Sequence, residues 1–125
     1  MEKKGNKTLN ANFIVVPRFN MATLVSLIEP MRVANYLSLK ELYSWEISSF
    51  EGPVVLASNG MEISTVTPIE TIKRQDLIFI VGSWGCEHYA RRELTAWVRK
   101  QYSLGAQICS VELGCYIVAR AGLLA

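Results

Sequence analysis

The stretch GAQICSVELGCYIVARAGLLA, residues 105–125, decides the fold. Its short apolar run over residues 107–111 is typical of a buried strand. Apolar residues at helical spacing then predict a helix over about 113–121, and Gly122 stands where such a helix would end. The strand passes into the helix with no loop between them, so we predict a sharp corner at Glu112.

Small residues, Ser110 and Gly114, flank Glu112 on either side of this corner. Small flanks let a strand turn tightly into a helix, and they leave the central side chain standing at the edge of the sheet. Hydrolases use this shape to present a nucleophile. Here the presented residue is a glutamate, and a carboxylate at a helix N-terminus gains about 0.3–1 kcal/mol. Glu112 could therefore bind a ligand, or it could only cap its helix or pair with an arginine.

The composition of the chain favours one folded domain. It has 125 residues, of which 50% are hydrophobic and 19% are charged, so a core can form and disorder throughout is excluded. A net charge of +2 gives no strong case for nucleic acid or a membrane surface. The apolar runs are shorter than the roughly 18–20 residues that a membrane span needs.

The polar start, residues 1–11, is predicted to be a disordered tail that precedes a domain over 12–125. It is not followed by the apolar segment of a signal peptide, so we expect a cytoplasmic protein. The three cysteines (Cys86, Cys109 and Cys115) form no CxxC pair. We expect reduced thiols that pack as small core residues.

The remaining segments alternate between strand and helix patterns, which predicts a three-layer α/β sandwich with a mostly parallel sheet. Proline is expected to kink the first helix at Pro30. The Asn59-Gly60 turn predicts a hairpin at the irregular edge of the sheet. The predicted segments are strand 12–17, helix 20–37, strand 43–50, hairpin 53–64, strand 76–81 and helix 89–104, the last with Tyr102 facing inward.

A ligand site is expected where parallel strands end, because open α/β sheets bind ligands beyond the C-terminal ends of their strands. A Trp84 side chain facing Glu112 could hold an amine or quaternary ammonium group through a cation–π contact of roughly 0.5–2 kcal/mol. Alternatively, the glycines of this loop only form a turn and Trp84 packs in the core. The candidate ligand-binding residues are Asn20, Met21, Gly82, Ser83, Trp84, Gly85, Glu112 and Leu113.

The sequence predicts neither a catalytic residue nor a metal site or cofactor. Acyl transfer needs a Ser or Cys at the corner with a base within reach, and Glu112 occupies that position. A carboxylate could attack in principle, but carboxylates do so mainly at glycosidic or phosphoryl centres. The one histidine, His88, follows the Trp84 loop and reads as a surface residue.

At this point the sequence resembles a known family. It resembles the N-terminal domain of AraC-type transcriptional regulators of the GlxA kind, a ThiJ/PfpI domain of the class I glutamine amidotransferase-like superfamily. The stretches that carry the resemblance are FIVVPRFNMATLVSLIEPMRVANYLSLKELYSWEI, ASNGMEI, DLIFIVGSWG and YIVARAGLLA. Together they cover nearly everything from Asn12 onward.

The resemblance implies a flavodoxin-like sandwich, usually dimeric. Enzymes of the superfamily carry a cysteine at the corner, a histidine just after it and a glutamate on the first helix. By position these sites fall on Glu112, Leu113 and about Thr23, so all three are changed and no enzyme activity is expected.

In the regulators this domain senses a small metabolite, often an amino acid or quaternary amine, and a C-terminal helix-turn-helix module binds DNA. We therefore expect a small-molecule effector and a homodimer, in a chain that stops short of the complete domain and of its DNA-binding module. The alternatives are a ThiJ/PfpI-type hydrolase or amidase with an atypical site, or a structural fragment that binds no ligand.

Overall fold

The computed structural model describes residues 7–66 and 73–124. Its elements, in chain order, are β1 (Leu9–Val15), α1 (Met21–Ser38), β2 (Tyr43–Ser48), β3 (Val54–Leu56), β4 (Glu62–Ser64), β5 (Leu77–Gly82), a 3-10 turn (Cys86–Tyr89), α2 (Arg92–Ser103), β6 (Gln107–Glu112) and α3 (Cys115–Arg120).

The main sheet has four parallel strands in the order β2-β1-β5-β6. This is the strand order of flavodoxin-like folds, and the predicted α/β fold with a mostly parallel sheet is confirmed. After β1 the chain adds β2 on one side of β1. It later adds β5 on the opposite side of β1, and then β6 beyond β5. The order therefore reverses between β1 and β5, which is the place where such sheets bind ligands.

Helices cover both faces of this sheet. Successive side chains of β1 point to opposite faces, so they pack against different helices. Phe13 and Val15 pack in one cluster with Leu24 of α1. Ile14 of the same strand packs in the other cluster, with Trp97 of α2 and with α3. The two clusters give the sandwich its three layers.

Several predicted boundaries need correction. Leu9, Asn10 and Ala11, which were predicted to belong to the tail, are the first residues of β1. Residues 1–6 of the predicted tail lie outside the described part. The hairpin forms, but β3 and β4 make a separate two-stranded sheet and not an edge of the main one. The 3-10 turn ends at Tyr89, where the 89–104 helix was predicted to begin, and α2 begins only at Arg92.

The buried face of α2 also differs from its prediction at one position. Tyr102 is exposed, and the neighbouring Gln101 is buried instead. The Gln101 side-chain oxygen accepts a hydrogen bond from the backbone N–H of Gln75 at 3.0 Å. A polar side chain with a backbone partner can therefore occupy a core position that apolar spacing alone does not reveal.

The first helix begins where it was predicted to begin and ends one residue beyond its predicted end, while the kink at Pro30 stays a prediction. Asn20 is its N-cap, and the side-chain oxygen accepts from the backbone N–H groups of Ala22 and Thr23. The helix continues through Pro30 to Ser38. Within the described ranges, no helix combines the length and the apolar character that crossing a membrane requires.

Asp76 fastens the start of β5 to β1. One carboxylate oxygen accepts from the Asn10 backbone N–H at 2.8 Å, and the other accepts from Arg74 at 2.9 Å. The hydrogen bond from Asn10, helped by Arg74, holds the pKa of Asp76 below its usual range although partial burial acts in the opposite direction.

We expect Asp76→Asn to cost about 1–2 kcal/mol of unfolding free energy at pH 7, because it removes the charge from these hydrogen bonds. The folded pKa lies below the unfolded one, so the contribution is present above about pH 4 and is lost as the pH falls through the folded value. Urea unfolding of both chains between pH 7 and pH 3 measures this difference. A difference that stays constant over this range would contradict the assignment.

Candidate functional site

The corner at Glu112 forms as predicted. Glu112 has a φ of 52°, in the left-handed region that non-glycine residues rarely adopt. The Leu113 N–H donates to the Gly82 carbonyl at 3.1 Å, which fixes the corner to the end of β5. Such a conformation costs about 1–3 kcal/mol and is concentrated at functional sites. The Glu112 side chain is exposed at the sheet edge, as the sequence indicates.

The Glu112 carboxylate contacts the first turn of α1. Its Oε2 atom accepts from the Thr23 hydroxyl at 2.8 Å and from the Asn20 side-chain amide at 3.4 Å. The carboxylate thus meets the positive N-terminal end of α1. Its own helix, α3, has Gly114 at the N-cap and no side-chain cap, so the alternative that Glu112 caps that helix is wrong. We call Asn20, Thr23 and Glu112 the notch.

The notch joins the two positions that the resemblance singled out. By the resemblance, Thr23 falls at about the position of the helix glutamate and Glu112 falls at the cysteine position. The structure brings these side chains into direct contact across 89 residues of chain. Met21, also a predicted ligand residue, is half-buried and packs against the core cluster beside α1.

A second feature, which we call the groove, lies beside the corner, where Leu113 forms part of its lining. It encloses about 310 Å³. Trp84 is 83% exposed, so the alternative that it packs in the core is wrong. Glu112 is not among the lining residues, and Glu87 supplies the carboxylate. The groove is lined by Trp84, Gly85, Glu87, Leu113, Tyr116 and Arg120.

Three of these residues were not predicted to bind a ligand. Tyr116 is one of the apolar residues whose helical spacing predicts the corner helix, yet it is exposed. Tyr116 and Arg120 are four residues apart, so they lie on one face of α3. That spacing was visible in the sequence, but it indicates a shared binding surface only when the structure places α3 beside Trp84. No motif or spacing in the sequence marked Glu87 as a ligand-binding residue.

The glycine-rich loop is used partly for close packing. A Cβ atom added to Gly82 would lie 2.9 Å from the Cys86 Cβ, so this position requires a residue without a side chain. The Ser83 carbonyl accepts from the Cys86 N–H and begins the 3-10 turn. Gly85 has a φ of 83° and contributes to the groove.

In the part of the chain that the structure describes, no thiol or imidazole group forms a hydrogen bond with a side chain of the notch. The Cys86 thiol is buried and donates to the Leu113 carbonyl at 3.0 Å. Burial raises the pKa of Cys86 and that of Cys109, which disfavours the reactive thiolate. The His88 side chain is 80% exposed and lies 3.9 Å from Glu87.

Comparison with known proteins adds the family context. No family model matches the chain. The chain is 36% identical over 112 residues to the HTH-type transcriptional regulator CdhR of Pseudomonas aeruginosa. That match covers 90% of this chain but only 33% of the regulator, so the chain spans about a third of this relative's length.

Solved structures share the fold. An AraC family transcriptional regulator from Pseudomonas putida matches with a TM-score of 0.81 and 23% identity, over 91% of this chain and 71% of that one. A ThiJ/PfpI domain protein from Brachyspira murdochii matches with a TM-score of 0.71 and 16% identity, over 94% of this chain and 66% of that one.

The chain thus has the fold of a ThiJ/PfpI domain protein. The resemblance to the ThiJ/PfpI domain of AraC-type transcriptional regulators is confirmed by the regulators that match in sequence and in structure.

Proposed function

We propose that this chain is the non-catalytic ligand-sensing and dimerisation domain of a cytoplasmic AraC-type transcriptional regulator. Its effector is a small amine or an amino-acid-like metabolite, and DNA is bound through a separate helix-turn-helix module. The relatives support the regulatory part of this proposal, since the matching proteins are named as transcriptional regulators.

The observation that carries the absence of catalysis is the notch. At the position where related enzymes hold a nucleophile, Glu112 accepts hydrogen bonds from Thr23 and Asn20. Neither partner is a base that could activate a nucleophile. An anion held in a fixed place by a hydroxyl, an amide and a helix end is suited to recognition.

The groove supports the choice of ligand. Two exposed aromatic side chains, Trp84 and Tyr116, line it together with one carboxylate and one guanidinium group. Aromatic faces and a carboxylate attract a cationic amine, while Arg120 suits a carboxylate. The two opposite charges fit a zwitterion better than a simple cation. The proposed site is therefore the groove with the corner beside it, including Leu113 and the Gly82–Gly85 loop.

A thermal-shift screen with amines, betaines and amino acids tests the proposal. We expect saturable stabilisation by at least one of them, and we expect Trp84→Ala to weaken its affinity by about tenfold or more. Tyr102→Ala, which removes an exposed aromatic side chain of α2 outside the groove, should leave the affinity unchanged. A screen without a saturable stabiliser would contradict ligand sensing.

Two charge variants separate the ligand classes. Glu87→Gln should weaken the binding of both amines and zwitterions, whereas Arg120→Gln should weaken only ligands that carry a carboxylate. Incubation with amide substrates and thiol-reactive probes tests the hydrolase alternative. Turnover together with selective modification of one cysteine would overturn the non-catalytic assignment.

A further inference from the structure

The loop that carries Trp84 is fastened to the corner at both of its ends. At its start, the Gly82 carbonyl accepts a hydrogen bond from the Leu113 N–H at 3.1 Å. At its end, the Cys86 thiol donates to the Leu113 carbonyl at 3.0 Å. The backbone groups of one residue, Leu113, therefore hold both ends of this loop. We define the Trp84 loop as residues 82–86.

The same corner also reaches α1, because Leu113 directly follows Glu112. Glu112 has a φ of 52°, and its carboxylate accepts from the Thr23 hydroxyl at 2.8 Å. A residue in the left-handed region keeps that conformation only when its surroundings fix it. The hydrogen bond from Thr23 fixes the side chain of Glu112, and the bond between Leu113 and Gly82 fixes the backbone beside it.

The groove depends on this loop for one of its walls. Trp84 is 83% exposed, so packing does not hold its side chain, and its position follows the loop backbone. A loop held by few contacts opens more readily than a core element. Release of the corner would therefore move Trp84 relative to Leu113 and Tyr116, which share the groove with it.

We infer that Thr23 is a positioning residue of the groove, which acts through Glu112 and Leu113 to hold the Trp84 loop in place for the effector. The inference rests on the proposed function and adds to it a residue of α1. Within the described ranges Thr23 lies outside the groove lining, so its effect has to pass through the corner. Because coupling between two sites is reciprocal, a ligand that holds the Trp84 loop should also hold the corner.

The rate at which N-ethylmaleimide modifies Cys86 measures the opening of the loop. Cys86 is fully buried, so the reagent reaches its thiol only when the Trp84 loop opens. Peptide mass spectrometry follows each cysteine separately in the full chain without ligand. We expect Thr23→Val, which keeps the branched shape but removes the hydroxyl donor, to accelerate the modification of Cys86 about fivefold or more. The rate at Cys109, within β6, should change by less than about twofold.

Three further variants control this result. Thr23→Ser keeps the hydroxyl and should react at the wild-type rate. Ser26→Ala should do so too, because the Ser26 hydroxyl donates to the Thr23 carbonyl at 2.8 Å and not to the corner. Glu112→Ala should accelerate the modification by itself, and adding Thr23→Val should change nothing more, since both variants remove one contact.

Three results would overturn the positioning role. The first is a wild-type rate at Cys86 in the Thr23→Val chain. The second is an equal acceleration at Cys109, which would indicate general loosening of the sheet. The third is an undiminished effect of Thr23→Val in the Glu112→Ala chain, which would mean that Thr23 does not act through Glu112.

Tetramethylammonium, compared with sodium at equal ionic strength, distinguishes this inference from the proposed function. We expect it to slow the modification of Cys86 in the wild-type chain, and to do so less in the Trp84→Ala chain. Slowing by tetramethylammonium together with a wild-type rate in Thr23→Val would reject the positioning role and leave ligand sensing standing. Acceleration in Thr23→Val without slowing by tetramethylammonium would support the positioning role and contradict amine recognition by the groove.

Discussion

Replacing Gly114 by alanine is expected to destabilise the chain by about 3 kcal/mol or more. A Cβ atom at this position would lie 2.2 Å from the Ile80 carbonyl oxygen and 3.0 Å from the Val111 carbonyl oxygen. Both neighbours are backbone atoms of the sheet, so no side chain can move aside to make room. The start of α3 would have to withdraw from β5 and strain the corner.

Urea unfolding followed by circular dichroism measures this loss. Gly60→Ala is the matched control, because its Cβ would meet nothing within 4 Å and only its φ of 89° is unfavourable. That control should cost about 1 kcal/mol. Equal losses for the two variants would show that the close approach at Gly114 does not limit stability.

Phe13→Ala is expected to cost about 3–5 kcal/mol. Phe13 is fully buried, and its ring stacks on Phe79 of the neighbouring strand with centroids 4.7 Å apart and planes within 10°. The two residues are register partners in β1 and β5. Truncation would leave a cavity beneath α1, in the cluster that also contains Leu24.

Phe13→Leu is the control for this core position. It keeps most of the volume, so we expect a loss of about 1 kcal/mol, measured by the same urea unfolding. A loss below about 1 kcal/mol for Phe13→Ala would mean that the cluster beneath α1 adds little to stability.

Local signals in the sequence were sufficient for most of the elements. The apolar runs predicted the strands, and β1 and β5 have buried cores as expected. The prediction of a buried strand over residues 107–111 was wrong, because β6 lies at the edge of the described sheet and none of its residues is buried. Asn20 was a recognisable start for α1, because an N-cap acts within a few residues. The Asn59-Gly60 turn predicted the hairpin. Gly114 was predicted to be small for a tight corner, and the contact with Ile80 confirms this. Ser110, predicted to be small for the same reason, is exposed, so contacts within the described chain do not explain its size.

Contacts between residues that are far apart in the sequence could not be predicted from local signals. Glu112 was predicted to be displayed at the sheet edge, but its partner Thr23 comes from the other end of the described chain. Trp84 was expected to face Glu112, yet it lines a groove with Glu87 and Arg120. The loop that carries Trp84 and the helix that carries Arg120 are placed by the packing of the 3-10 turn and α3 against the sheet.

By itself, the sequence determined the α/β sandwich and the corner at Glu112, because these depend on residue type and spacing within short segments. Only the tertiary structure decided which side chains the corner meets, how the site divides into notch and groove, and which face of α1 stays exposed. Those outcomes depend on the strand order β2-β1-β5-β6, which brings together residues that are far apart along the chain.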